Sequence, residues 1–429
     1  MRTDPLGFVT DLHRRYGDVT SHQVDADTVI VVHRPDLARQ LLTGNGANYT
    51  KLDTPDDHML RPLLGNGLLT STGAEWSKQR QTAAPAFRPH RVRQFDTLMT
   101  QAAAALADRL ALAPPETEVA VDHQFTSLTL RIVVEAILSM RLDGVGDGFG
   151  RAVDAVNSYI GHDAVTDPGG AGPSRLSFEQ AKGFLELVTT TLIAARRTTA
   201  EQTPQPDSAG GDLLTAMMAG ESTLTERELL DQVLTLIMAG HETTAKSLTW
   251  SVFLLDRHPD WRMRLENEVD RVLGTAAGPR LPTAADLARL PLCGRVIREA
   301  LRLYPPIWLT SRRAIGPDRL DGYRVEAGDL VCVSQWVLHR DPRYWPHPER
   351  FDPDRFADPA QLTPHAYLPF GGGERICIGQ HFALLEATLV LATLVSRLRL
   401  RLRAGTEVEP EALVTLRPRG GMPMTVQRR

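Results

Sequence analysis

From Thr225 to about Asp256, apolar residues recur at helical spacing without a break. Thr225, with Glu228 three residues on, makes a capping-box pattern at the start. His258 and Pro259 end the run, because the residue before a proline is driven out of the helical region. The pattern predicts a helix of about 30 residues, roughly 45 Å long at ~1.5 Å per residue. A helix of that length crosses a whole domain, so the rest of the chain has to be built around it. Near its middle stands AGHETT, residues 239–244. Gly240 costs about 1 kcal/mol of helix propensity relative to alanine. The Thr243 hydroxyl can bond the carbonyl of Ala239, which loosens the ladder and can open a groove for a small molecule. Taken alone, the six residues fit an exposed polar face equally well.

The surroundings of this helix read as mostly helical. Between about residues 90 and 305, Ala, Leu and Arg follow a period near 3.6, and a last helix is predicted from about Gln380 to Arg397. Strand signals are few: 27–33, then 322–335. Segments 162–175 and 201–211 are rich in Gly, Pro, Ser and Asp and read as loops inside a domain. The first of them is expected to be a mobile lid. The fold class is therefore mainly α with a small β portion, at about 20–60 and 310–340, in a single domain spanning 1–429.

Composition excludes several functions. The 429 residues are 42% hydrophobic and 23% charged, as in a soluble globular protein. A net charge of -4 gives no case for nucleic acid. Asp4 and Pro5 stand where a signal peptide would have an apolar run, and no stretch is apolar enough to span a membrane. Cys293, Cys332 and Cys377 have no CxxC spacing, which argues against a disulfide framework or a zinc site and for a reducing cytoplasm.

Cys377 is placed unlike an ordinary buried cysteine. It follows Gly371, Gly372 and Gly373, with Arg375 two residues before it and Gly379 two after. Glycines let a backbone approach a flat object. A thiolate needs nearby charge or N–H donors, and the start of the following helix has them. Arg375 can hold an anionic group of a cofactor. No GK[ST] follows, so this is not a phosphate loop. A cysteine thiolate holding haem iron fits.

At this point a resemblance is specific. FGGGERICIG, residues 370–379, matches the FxxGxRxCxG haem-binding signature of cytochromes P450 at every fixed position. Four weaker motifs accompany it in the family's order. Trp76 to Arg80 resembles WxxxR, and 239–244 resembles AGx[DE]TT of the long central helix. Glu299 to Arg302 is similar to ExxR, and 348–351 to the PERF segment. The resemblance implies a P450 fold, with haem b between the long helix and the cysteine loop with its following helix. It implies Cys377 as the iron ligand, with Phe370 packed near the sulfur. Arg375, Trp76, Arg80 and Arg312 would serve the haem carboxylates, although Arg313 stands next to Arg312. Ala239 and Gly240 would leave room for dioxygen, and Thr243 with Glu242 would deliver protons. Glu299, Arg302 and Arg350 would form a buried structural ion network.

The same resemblance implies a soluble bacterial monooxygenase, monomeric and cytoplasmic. It would act on an apolar or aromatic natural-product intermediate by hydroxylation, epoxidation or oxidative ring closure, with Trp308 and Leu309 as pocket walls. The chain starts almost at its first helix, so its natural start is expected upstream. No flavin or ferredoxin domain follows Arg429, so NAD(P)H electrons would arrive through a ferredoxin and its reductase. Arg88 and 90–93, HRVR, make a docking patch for an acidic partner, or an ordinary solvated helix start. A peroxide-using or non-oxygenating haem-thiolate enzyme and a non-catalytic haem binder are the alternatives. The intact Glu242–Thr243 pair argues against both.

Overall fold

The computed structural model describes residues 4–114, 117–140, 146–159, 177–202, 212–218, 224–275 and 278–429. The expected lid, 162–175, lies outside the described residues. So does most of the second loop, and a helix, Phe178–Gln202, runs into that loop's first two residues. The chain divides into two compact units. One comprises Met1–His58, Arg295–Gln380 and Glu409–Arg419, and the other Met59–Gly294, His381–Val408 and Gly420–Arg429.

The first unit is organised on a five-stranded sheet: β1 (Val19–Val24), β2 (Asp27–Val32), β3 (Tyr49–Thr50), β4 (Thr310–Ala314) and β5 (Leu330–Val333). The order is β1-β2-β5-β4-β3. Central β2 and β5 pair in parallel, Val29 to Leu330 through Val32 to Val333. Both carry continuous apolar runs because both faces of these strands are covered. Val32, Val331 and Val333 pack with Leu41, Leu338 and Leu368 in the core. The sequence reading found β2 and β5 and missed β1, β3 and β4, whose polar residues mask the alternation.

The second unit is mostly helical. Two helices matter here: α1 (Val121–Leu138) and α2 (Glu226–Arg257). The 32 residues of α2 are the long helix read from the sequence, and both halves of its capping box form. The Thr225 hydroxyl accepts from the Glu228 N–H at 3.2 Å, and the Glu228 carboxylate accepts from the Thr225 N–H at 2.7 Å. A third helix, α3 (Gln380–Val395), begins three residues after Cys377 and ends two before the expected Arg397, where a strand, Leu398–Leu402, takes over. That strand pairs with Pro423–Arg428, which also pairs with Glu118–Ala120. This sheet lies outside the two segments expected to be β-rich.

Among the described residues, no helix is long and apolar enough to cross a membrane.

Candidate functional site

The loop before α3 is built to present a side chain. Gly371 and Gly373 have φ of 72° and 68°, where a side chain is strained. A Cβ on Gly373 would also lie 1.8 Å from the Leu42 carbonyl oxygen. The loop therefore lies directly on the turn at Gln40–Gly44, and only glycine fits at the contact. The Cys377 N–H then donates to the Phe370 carbonyl at 2.9 Å and closes the loop. Phe370, Arg375 and Gly379 are partly exposed around it.

Exposure separates the three cysteines. Cys293 and Cys332 are buried, and burial pushes the Cys332 thiol up to about 12 and the Cys293 thiol well above the ordinary thiol range. Cys377 is exposed. It is the thiol that an external electrophile or metal reaches, and the loop geometry is spent on holding it there.

Behind this loop stands a buried ion pair. The Arg302 guanidinium donates from Nε and Nη2 to the Glu299 carboxylate at 2.7 and 2.8 Å, and both side chains are fully buried. Burial raises the Glu299 carboxyl, and the hydrogen bonds from Arg302 oppose it. Arg302 also donates to the carbonyls of His339, Pro348 and Arg350. Arg350 thus enters the network through its backbone, and its side chain is exposed, contrary to the expected role. The second guanidinium belongs to Arg355, 3.4 Å from Glu299. The reason is the turn at 352–356, which carries Arg355 inward and brings the Asp352 N–H onto Glu299 at 2.9 Å. His339 continues the chain of contacts. Its Nε2 accepts the Leu368 N–H at 2.8 Å, which requires a neutral ring, and burial holds its pKa at about 3. The pair therefore reaches the first residues of the cysteine loop through one carbonyl and one imidazole.

Arg312 and Arg313 are adjacent on β4, so their side chains leave opposite faces. Arg313 is occupied: it pairs with Asp27 at 2.8 Å and donates to the Asp53 carbonyl. Arg312 is partly buried and bonds the Ser311 carbonyl, and it makes no ion pair among the described residues. Burial lowers it to about 10. A sequestered guanidinium that Asp56 attracts without forming an ion pair suits an anionic group brought by a ligand. Trp308 and Leu309 look less like pocket walls than expected. The Trp308 Nε1–H is committed to the Leu413 carbonyl at 2.9 Å, and Leu309 packs on Val29, Val31, Leu330 and Cys332.

In the second unit, α2 is buried on both sides of one short opening. Residues 231–237 and 244–252 are buried, whereas Met238, Ala239, Gly240, Glu242 and Thr243 are accessible to some degree. The Thr243 hydroxyl donates to the Ala239 carbonyl at 3.0 Å, four residues back, as its position in the helix predicts. Ser247 repeats this onto the Thr243 carbonyl at 2.8 Å. Thr244 faces inward, 2% exposed, and bonds the Gly240 carbonyl. Gly240 has a packing reason beyond leaving space: a Cβ there would lie 2.8 Å from Val133 Cγ2 on α1. The two helices are further joined by the Thr129 hydroxyl, which donates to the His241 carbonyl at 2.6 Å. Trp76 and Arg80 lie four apart on the helix Gly73–Ala83, both partly exposed on one face.

A haem fits these donors. An exposed thiol suits its iron, and Arg312 and Arg375 suit its two carboxylates. Sequence reasoning missed Arg355.

Comparison with known proteins agrees with this geometry. The family model for cytochrome P450 matches residues 2–422. Cyclooctatin synthase of Streptomyces melanosporofaciens is 34% identical over 97% of this chain and 90% of that protein. Cyclooctat-9-en-7-ol 5-monooxygenase of the same organism is 33% identical over 94% of this chain and 86% of its own length. Pentalenene oxygenase of Streptomyces avermitilis is 31% identical over 97% and 91%.

Proposed function

The chain belongs to the cytochrome P450 family, and from that membership we propose that it is a haem-thiolate monooxygenase oxidising a terpenoid, or a similarly apolar, natural-product skeleton. The enzyme class follows from the family and its named relatives. The substrate class is our own reading, supported by relatives named for cyclooctatin, cyclooctat-9-en-7-ol and pentalenene. Residues 1–429 act as one haem domain in this reading, because the family match runs through both units.

The observation that carries it is the exposed Cys377, held on a glycine-clamped loop while the other two thiols are buried. When bound, haem b supplies an iron centre that activates dioxygen with electrons originating from NAD(P)H. Cys377 would bind it as a thiolate, with Phe370 packed near the sulfur. Arg375, Arg312, Trp76 and Arg80 would hold and orient its carboxylates by charge and by N–H donation. Ala239, accessible on α2, would leave room for the small reactant. The Thr243 hydroxyl, now on the Ala239 carbonyl, would donate toward the reacting oxygen, and partly exposed Glu242 would replace that proton from solvent. Electrons would come from a ferredoxin and its reductase. Exposed Arg88, His90 and Arg93, with Arg91 beside them, would meet the acidic partner. All three cysteines being thiols suits a cytoplasmic setting.

The test has two stages. The reduced protein with CO should give the thiolate band for which the family is named. Substrate-induced shifts of the haem absorption should then appear with cyclic terpene hydrocarbons or alcohols, and turnover should need NAD(P)H, ferredoxin and reductase. Turnover with peroxide alone, at a rate that electron donors do not exceed, would overturn the oxygen-activating reading.

A further inference from the structure

Four side chains that the haem reading does not use meet within the first unit. His13 stands in the last turn of the helix Pro5–Tyr16, and Asp18 follows that helix. His33 follows β2, and Asp341 lies just beyond the short helix Gln335–Leu338. His13, Asp18 and Asp341 each offer a ligand atom, and the three atoms lie within 4.8 Å of one another. The Gly17 carbonyl accepts the His13 Nδ1–H at 3.2 Å, which leaves the lone pair on Nε2, 3.8 Å from an Asp341 oxygen. Metal-ligating histidines are oriented in this way, by a bond from the other ring nitrogen. Two ligand atoms about 2.1 Å from a tetrahedral ion are ~3.4 Å apart, so that gap needs little closing.

His33 points to a ligand independently. Its side chain is fully buried, and neither ring nitrogen has a hydrogen-bond partner. Buried polar atoms are nearly always bonded, and an ion is one way to satisfy them. The ring stands against that of His13, with centroids 4.9 Å apart and planes tilted by 46°. Two imidazoles on one tetrahedral ion have centroids on the order of 5 Å apart. Burial, with His13 beside it, lowers the pKa of His33 to about 3, so the ring is neutral, as a metal ligand must be. Arg343 spans the two carboxylates, donating to Asp341 at 2.6 Å and to Asp18 at 2.9 Å. Its side chain is 45% exposed and can swing into solvent.

We propose that His13, His33, Asp18 and Asp341 form a site for a divalent transition ion of the zinc class, which displaces Arg343 from the two carboxylates. Two imidazoles select such an ion over magnesium or calcium, whose ligands are oxygens. The ion ties the helix Pro5–Tyr16 to the end of β2 and to Asp341, closing a long stretch of chain, so its effect is on the stability of this unit. The site uses no cysteine, which is why cysteine spacing gave no sign of it. Its residues all belong to the first unit, and none of them serves the haem reading.

The experiment is calorimetric titration of the purified holoenzyme with zinc chloride, with magnesium chloride as the control, on wild type, His13→Ala and Arg343→Gln. His13 is partly exposed, so its loss should leave the fold in place, and circular dichroism checks both variants. Wild type should take up one zinc ion per chain and unfold at a higher temperature with zinc than without. His13→Ala should bind about tenfold more weakly, or worse, and lose the thermal shift. Arg343→Gln should bind more tightly, because the competing cation is gone. Equal zinc uptake by wild type and His13→Ala, or none by either, would overturn the proposal. So would magnesium binding as tight as zinc binding. Weaker binding in a folded Arg343→Gln variant would overturn it too, since the guanidinium would then support the ion instead of competing with it.

Discussion

The cysteine loop and the opening in α2 both hold reactive groups, by opposite means. The loop is held from outside. Gly373 lies on the Leu42 carbonyl, and the Glu299–Arg302 pair reaches Leu368 through His339. Residues distant in sequence must all be in place before Cys377 is. The opening in α2 is held from within: Thr243, Thr244 and Ser247 each bond the carbonyl four residues back. Damage to the loop should therefore cost cofactor retention and stability, whereas damage to the helix segment should leave the cofactor in place and cost productive turnover.

The hardest test of that division is the thiol. Cys377→Ala should remove the thiolate CO band and all monooxygenase activity, while Cys293→Ala and Cys332→Ala keep both. A surviving band in the Cys377 variant would break the comparison at its root. Next comes the support behind the loop. Glu299→Gln leaves the fully buried Arg302 guanidinium uncompensated, which should cost about 3–5 kcal/mol. Urea unfolding with haem content measured in parallel checks it, and full haem content at unchanged stability would remove the pair from the account of the loop.

The helix side predicts smaller and different losses. Thr243→Ala should keep the CO band but divert electrons to hydrogen peroxide, with product per NAD(P)H falling on the order of tenfold. Glu242→Gln should slow turnover with the band intact. Thr244→Ala removes an inward hydroxyl and should leave coupling near wild type. Undiminished coupling in Thr243→Ala would mean that the opening in α2 does not handle protons. The smallest effect sharpens the packing. In Gly240→Ala, a helix gain of about 1 kcal/mol opposes a clash with Val133, so the net change should stay within about 2 kcal/mol. Adding Val133→Ala should relieve the clash and return most of the loss, as read from thermal unfolding.

Local chemistry was legible along the chain wherever neighbours in sequence decide it. The capping box at Thr225–Glu228 and the bond from Thr243 to Ala239 depend on spacings of three and four residues, and both form. Strands β1 and β4 were not legible, since their polar residues acquire meaning only beside the apolar β2 and β5. The ion network illustrates the same limit, for Glu299 and Arg302 sit one turn apart and were read together. Their third partner came from a turn more than 50 residues away, where Arg355 and not Arg350 points inward.

What the sequence determined by itself was the inventory: one long helix, one cysteine on a glycine-rich loop, an acid–alcohol pair and a chain of mainly helical elements. Only the tertiary structure decided which of two adjacent arginines is taken up in an ion pair, which cysteines are buried, and that Arg355 joins Glu299. Spacing along the chain sets which groups one helix turn or one loop can bring together. Burial and charge compensation depend on what other segments place alongside, and long-range pairing such as Thr50 with Arg313 has no local signature to read.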